Sequence, residues 1–347
     1  MGIYIYNVET PNKTIYMATS PIVTGLTGYV EQNRDLIRST SIIGSRTAQL
    51  FTKQSGVKGS AAINILSTAI SFGNGAECGW NEAGSQTLSQ RVIVTGQVKV
   101  NMAYCEKKLI GTWAEKQVEI KADPKALPFE EDFMNGVVEG IQDALEKALW
   151  QGDTTSSDVN LKRFDGMLKV LTNAEGVLAE TIASNTSYIN AVKQVLMAMP
   201  AKTLKDDAVI FCAPEFLRNY EQALVAANLY HFVPGKDYED ITIPGSNVKL
   251  VSVAGLVGIK KLVAGRLSNF FYGYDIEDAP ESFDLWYSKD NREFRLAVEF
   301  NAGVQVAFPE LAVIGTFSAA PVSPAGVAEN VAKLASDSKV FKTKAEA

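Results

Sequence analysis

The clearest signal in the chain is an alternation near its C-terminal end. From Phe294 to Phe308 every even position is apolar, while the odd positions are Arg295, Ala297, Glu299, Asn301, Gly303, Gln305 and Ala307. A period of two held over fifteen residues predicts a half-buried strand of about 50 Å, bent at Gly303. Ahead of it, Lys289, Asp290 and Asn291 separate two strand-like runs, which predicts a hairpin pairing 283–287 with the start of the long strand. The run Gln90 to Tyr104 also alternates, with Val92, Val94, Val98, Val100, Met102 and Tyr104 on one face. It predicts one long strand with a wet face carrying Arg91, Thr95, Gln97, Lys99 and Asn101. The segment before it, GNGAECGWNEAGSQTLS, is a glycine-rich tip with one large apolar group, Trp80. A two-stranded ribbon ending in such a tip is marginally stable alone and leaves open edges, so something has to cover it.

Helical spacing is strongest in PFEEDFMNGVVEGIQDALEKALWQGD. Phe129, Phe133, Val137, Ile141, Ala144, Leu145, Ala148 and Leu149 recur every three or four residues, Pro128 and three acids sit at the start, and Gly152 marks the stop. The predicted helix, 129–151, is about 35 Å long and carries six carboxylates against Lys147 alone. One face packs and the other is acidic. Residues 166–265 read as an α/β module: helices over 186–199 and 214–230, a buried strand over 207–213, and further strands over 247–254 and 261–267. Residues 1–60 are polar and weakly periodic, with a surplus of three positive charges, and read as an extended arm with short structured pieces. After Phe317 the composition shifts to Ala, Ser, Pro, Val and Lys, a tail with a short helix around 325–335.

Composition narrows the function. With 347 residues, 46% hydrophobic and 21% charged, the chain has the apolar content of roughly two ordinary folded domains, and its formal charge is −6. No stretch reaches the ~20 apolar residues of a membrane span, and MGIYIYNVET lacks the basic and apolar regions of a secretion signal. The only histidine is His231, and Cys78, Cys105 and Cys212 are scattered without a CxxC or HExxH pattern. That argues against a transition-metal site and for a reducing compartment such as cytoplasm. His231 lies far from any GxSxG elbow, so Ser-His or Cys-His catalysis has no support. Gly73, Gly75 and Gly79 lack a strand-to-helix switch, GLVGIKK at 255–261 lacks the first glycine and the Ser/Thr of a phosphate loop, and both read as turns. No carboxylate pair stands out as a general acid and base.

The order of the parts is more specific than any one of them. An arm, a glycine-tipped ribbon (GWNEAGSQTLSQRVIV into VKVNMAYCEKKL, 79–109), an acidic helix ending ALEKALWQGD (144–153) with FDGML (164–168) following, an α/β module, and FYGYDIEDAPESFDLWYSKDNREFRLAVEFNAGVQVAFPELAVI (271–314) succeed one another. Over about residues 30–317 the chain resembles the major capsid proteins of tailed double-stranded DNA bacteriophages, the Hong Kong 97 fold family. The resemblance implies an α+β fold: an N-terminal arm and start of the peripheral domain (1–72), an extended β-ribbon loop (73–104), a peripheral domain (105–165) with spine helix 129–151, an axial α/β domain (166–265), peripheral long strands (266–317) and a C-terminal tail (318–347).

It further implies a structural subunit with no catalytic residue, metal or cofactor, which self-assembles into hexamers and pentamers of an icosahedral shell. Its partners would be copies of itself, a portal, scaffolding and decoration proteins, and packaged double-stranded DNA held without sequence specificity. Assembly would occur in the host cytoplasm, away from membranes. Assembly contacts are expected at Trp80, Glu82 and Arg91 in the extended loop and at Pro234, Gly235, Lys236, Asp237 and Tyr238 in an axial loop. Two departures stand out. No lysine occurs between Lys58 and Lys99, so the covalent lysine–asparagine crosslink of the family's founding member is not expected near the tip. No coiled-coil segment of the kind that serves as built-in scaffolding precedes the arm, which leaves a separate scaffolding protein or none. The alternatives are a nanocompartment shell of the encapsulin type and, from another class, an unrelated α/β hydrolase or transferase.

Overall fold

The computed structural model describes residues 21–72, 84–109, 111, 115, 129–183, 186–204, 207–227, 240–275 and 283–318. The first element corrects the sequence reading. Over 21–43, in place of a short structured piece there is a 23-residue helix, α1 (Pro21–Ile43), while residues 1–20 of the expected arm lie outside the described residues. Its buried residues Leu26, Val30, Ile37, Ser41 and Ile42 keep helical spacing, but Gly25, Gly28 and the Thr and Ser residues between them dilute the periodicity. Packing supplies what propensity does not. α1 runs alongside the long helix predicted over 129–151, here α3 (Phe129–Gln151), with Gly25 against the Glu130 side chain and the Thr40 carbonyl accepting from Gln142 Nε2 at 2.7 Å. Between them in the chain, the short α2 (Arg46–Leu50) is capped by Ser45, whose Oγ accepts from the Ala48 N–H.

A five-stranded sheet lies on these helices. β12 (Glu293–Val306) is its spine, confirming the predicted long strand. On one side it pairs end to end with β11 (Phe283–Ser288) and β10 (Phe270–Asp275), and β10 pairs in turn with β1 (Thr52–Ser55). On its other side it pairs with β4 (Gly96–Cys105) over ten residues. The β11–β12 hairpin has the predicted register, Phe283 opposite Val298 and Ser288 opposite Glu293, and Arg292 takes the left-handed φ of 55° that the turn requires. Even-numbered β12 side chains face the core, as alternation demands.

The run 90–104 is not one strand. It breaks at Thr95, a buried residue whose N–H donates to the Gly59 carbonyl at 2.9 Å and whose Oγ1 donates to the Val57 carbonyl at 3.3 Å. Before the break, β3 (Gly84–Val94) pairs with β2 (Ser60–Ile70) in a separate two-stranded ribbon; after it, β4 joins the sheet. The alternation passes through the break unaltered because both strands keep a period of two, so the pattern does not report the change of partner.

The second sheet has six strands in the order β5-β13-β9-β6-β8-β7: β5 (Leu178–Ile182), β13 (Val313–Phe317), β9 (Lys261–Arg266), β6 (Ala208–Cys212), β8 (Lys249–Ser252) and β7 (Asp240–Thr242). Helices α5 (Tyr188–Ala198) and α6 (Pro214–Ala226) pack on it, and α4 (Met167–Asn173) leads into it. The predicted module is present, but β13 enters it from beyond residue 265, between β5 and β9. The two sheets share one core. Phe51, Trp150, Phe211 and Phe270, one from each of four regions, meet with ring centroids 5.1–5.9 Å apart.

Candidate assembly surfaces

The ribbon is where the chain leaves its own core. β2 and β3 pair over eleven residues each, from Ser60 opposite Val94 to Ile70 opposite Gly84, a length of about 37 Å. At its root the odd-numbered face packs down: Ile63, Ile65 and Ile93 cluster with Ala307 and are flanked by Phe271 and Phe308. Gln305 Nε2 donates to the Val92 carbonyl at 2.8 Å, and Gly303 lies so close that a Cβ there would sit 2.3 Å from the Val94 carbonyl oxygen. The bend expected at Gly303 is thus a crossing point of β12 and the ribbon, where only glycine fits.

The other face has no such partner among the described residues. Its even-numbered positions align Ala62 with Val92 and Leu66 with Leu88, and add Ile70 and Val94. Leu66 is 59% and Leu88 66% exposed. Covering a side chain of this size is worth about 1.5–3 kcal/mol, so a row of them is a strong incentive for contact with another surface.

Of the loop residues expected at assembly contacts, Arg91 is described. It shares the odd-numbered face with Ile93 and lies opposite Ile63, half-buried, with its Nε sealed from solvent and without a hydrogen bond. Trp80, Glu82 and Pro234, Gly235, Lys236, Asp237 and Tyr238 lie outside the described residues, as do His231 and Cys78. The sequence reading missed Leu66 and Ile70, because SAAINILSTAI is apolar on both faces and was grouped with the arm. A β-rich run directly before a glycine-rich tip is the signal that would have found them.

Two polar nodes hold the rest rigid. At the helix junction, buried Glu146 accepts from the Thr47 N–H at 2.9 Å and from the Thr47 hydroxyl, while Trp150 Nε1 donates to Thr47 Oγ1 at 2.6 Å. One of the six carboxylates on α3 is therefore structural, not part of an acidic outer face. After α3, Gly152 and Gly166 press backbone to backbone, the Gly166 N–H donating to the Gly152 carbonyl at 2.8 Å, which explains the two glycines of the QGD and FDG motifs. Lys169 Nζ then reaches Asp153 at 2.7 Å and Asp165 at 2.8 Å. The Lys169 and Thr155 hydrogen bonds lower the Asp153 pKa to about 2. Burial opposes the charge of Asp165, but bonds from Lys169 and Thr154 outweigh it and its pKa is lowered too. Burial raises the Cys212 thiol, which leaves it a packing residue.

No protein-family model matches the chain, and no curated protein does. Solved structures do. A chain of the satellite phage P4 procapsid that includes the size determination (Sid) protein superposes with a TM-score of 0.57 at 12% identity, covering 83% of this chain and 92% of that one. A chain from Gordonia phage Cozz gives 0.49 at 11% identity over 79% and 87%, and the virus-like particle of Pyrococcus furiosus 0.45 at 9% over 81% and 97%. The P4 likeness establishes the fold: the chain has the α+β, Hong Kong 97-like architecture that the order of its parts implied.

Proposed function

We propose that the chain is the structural subunit of a closed protein shell, the major capsid protein of a tailed double-stranded DNA phage, and not an enzyme. The observation that carries this reading is the ribbon: a pair of strands whose outward face exposes Leu66, Leu88, Ile70, Val92 and Val94, interleaved with polar pairs such as Asn64 and Gln90. In a monomer that row is a liability; in a closed assembly each copy supplies the cover for another, through obligate interfaces of about 2,000 Å² or more. The capsid fold, shared with a procapsid chain, supports the same reading.

On this reading the extended loop is not 73–104 but 60–94, the β2–β3 ribbon with the segment between its strands, because β4 pairs with β12 in the five-stranded sheet; Trp80, Glu82 and Arg91 are among its contacts, and α3 is the spine of the peripheral domain. The six-stranded sheet is the axial domain, whose 234–238 loop meets its counterparts around the fivefold and sixfold axes. Copies form hexamers and pentamers in the host cytoplasm. A portal replaces one pentamer, scaffolding and decoration proteins bind where the phage encodes them, and the genome is held on the inner face without sequence reading. The exposed carboxylates of α3 suit such a lining, since they do not adhere to DNA.

The test is light scattering with negative-stain electron microscopy on the chain expressed alone and with its neighbouring genes. Capsomers or shells of tens of nanometres are expected, with DNA rather than a cargo enzyme inside. A monomer of 37.6 kDa under every condition would refute the shell reading. Trp80→Ala lowers particle yield while the circular dichroism of the soluble subunit stays unchanged.

A further inference from the structure

The five-stranded sheet ends on β4 without a further strand. β12 is flanked on both sides, and its core-facing Phe294, Leu296, Val298 and Phe300 are buried. The β4 residues directly opposite, Tyr104, Met102, Val100 and Val98, share that face but stay partly exposed, Met102 by 39%. On its far side β4 makes no backbone hydrogen bond with any described residue, so alternate N–H and C=O groups along it are open.

The start of this edge is narrowed by the loop after α3. A Cβ on Gly96 would collide with the Arg163 carbonyl oxygen, and Val159 and Phe164 wall a groove beside Val98 and Val100, where Lys99 and Arg163 also stand. The stretch 100–105 has no such neighbour among the described residues. Beneath it runs α3, tied to β4 at both ends of the stretch: the Phe133 and Tyr104 rings lie 4.8 Å apart, and Ala144 lines the groove with Val98 and Val100. Between those contacts α3 exposes Gly136 and Gly140, and space is open where a Cβ on either would stand. The occupant is indicated by the chain that precedes α1. Residues 1–20, outside the described residues, contain the run IYIYNV at 3–8, uncharged and made almost wholly of strong strand formers. Twelve residues separate Val8 from Pro21, a reach of about 40 Å when extended. α1 starts near the Tyr104 end of the edge, since its Gly25 lies against Glu130, within a turn of Phe133.

We propose that residues 3–8 add a strand to the open edge of β4 over 100–105 of the same chain. Alternation puts Ile3 and Ile5 on one face of that strand and Tyr4 and Tyr6 on the other, so either face sets large side chains on the small residues Gly136, Gly140 and Ala144. The added strand bonds the open backbone groups of β4 and covers Met102. The proposal concerns the single subunit and stands or falls separately from the shell reading.

Hydrogen exchange of the full chain, read by mass spectrometry at a dilute and a concentrated subunit level, tests it. In the parent, peptides covering 100–105 are expected to keep nearly all their amides protected at both levels. Ile5→Asp with Tyr6→Asp puts a charge on each face of the added strand and speeds exchange over 100–105 about tenfold or more, while 208–212 in β6 stays protected and the circular dichroism is unchanged. Fast exchange of half the 100–105 amides in the parent overturns the proposal, because the outward-facing ones are then open. So does protection that survives unchanged in the doubly substituted chain. Protection that appears only at the concentrated level, or that is lost in Leu66→Ser with Leu88→Ser, overturns it as well and assigns the edge to a second copy.

Discussion

The six-stranded sheet and the ribbon use the same residue types to opposite ends. In β6, Ala208, Val209, Ile210, Phe211 and Cys212 are all buried, between strands on both sides and helices on its faces. In the ribbon, an equally β-prone sequence has one partner strand, a root packed along half of one face, and apolar side chains left outside. The first region is complete within one chain. The second leaves an apolar face uncovered among the described residues, the face that the proposed assembly would cover. Hydrophobicity by itself therefore does not distinguish core from contact; the number of elements that surround a strand does.

That contrast can be broken from the core side first. Trp150→Ala removes a fully buried ring packed against Phe51 and Phe211 and leaves Thr47 without its indole donor. The expected loss is about 3–5 kcal/mol in urea unfolding of the soluble subunit, with both sheets weakened because the aromatic cluster joins them. The ribbon side should respond in the reverse manner. Leu66→Ser with Leu88→Ser leaves subunit stability within about 0.5 kcal/mol, since both residues are solvated already. The concentration needed for assembly, read by light scattering, rises at least about tenfold, from a loss of about 1–2 kcal/mol at each contact.

Two smaller perturbations sharpen the boundary between the regions. Gly303→Ala forces a Cβ against the Val94 carbonyl and should cost about 1–3 kcal/mol at the root. Hydrogen exchange would then speed up across 84–94 while 208–212 stays protected. The mildest effect is acidic. Asp153, with its pKa lowered to about 2 from 3.8, contributes stability above the unfolded value that is lost as pH falls through the folded one, and Asp165 acts in the same direction. Unfolding midpoints should therefore drop between about pH 4 and 2, and Lys169→Met should flatten that drop without touching the ribbon.

Legibility followed local periodicity. The helix 129–151, the hairpin ending in the long β12, and β6 with the helix after it were read from spacing because burial there repeats along the chain. α1 was not read, since glycines and hydroxyl residues interrupt its apolar stripe and its stability comes from lying against α3. The break at Thr95 was hidden because a period of two survives a change of sheet. Of the ribbon, β3 was legible as alternation and the tip lies outside the described residues, but the pairing of the two leucines was not legible: Leu66 and Leu88 are twenty-two positions apart and become one surface only when β2 and β3 pair.

The sequence by itself determined the strongly periodic elements, the helix 129–151, the long strand with its hairpin and the helices and strands of the α/β module, together with the order of parts that points to a capsid fold. Each is encoded in neighbours three, four or two residues away. Only the tertiary structure decided that Glu146 is a buried acceptor for Thr47, that Gly303 is a crossing point, that β13 enters the six-stranded sheet between β5 and β9, and which face of the ribbon stays uncovered among the described residues. Those depend on contacts between residues far apart in the chain, where packing and hydrogen-bond geometry, not periodicity, choose the partner.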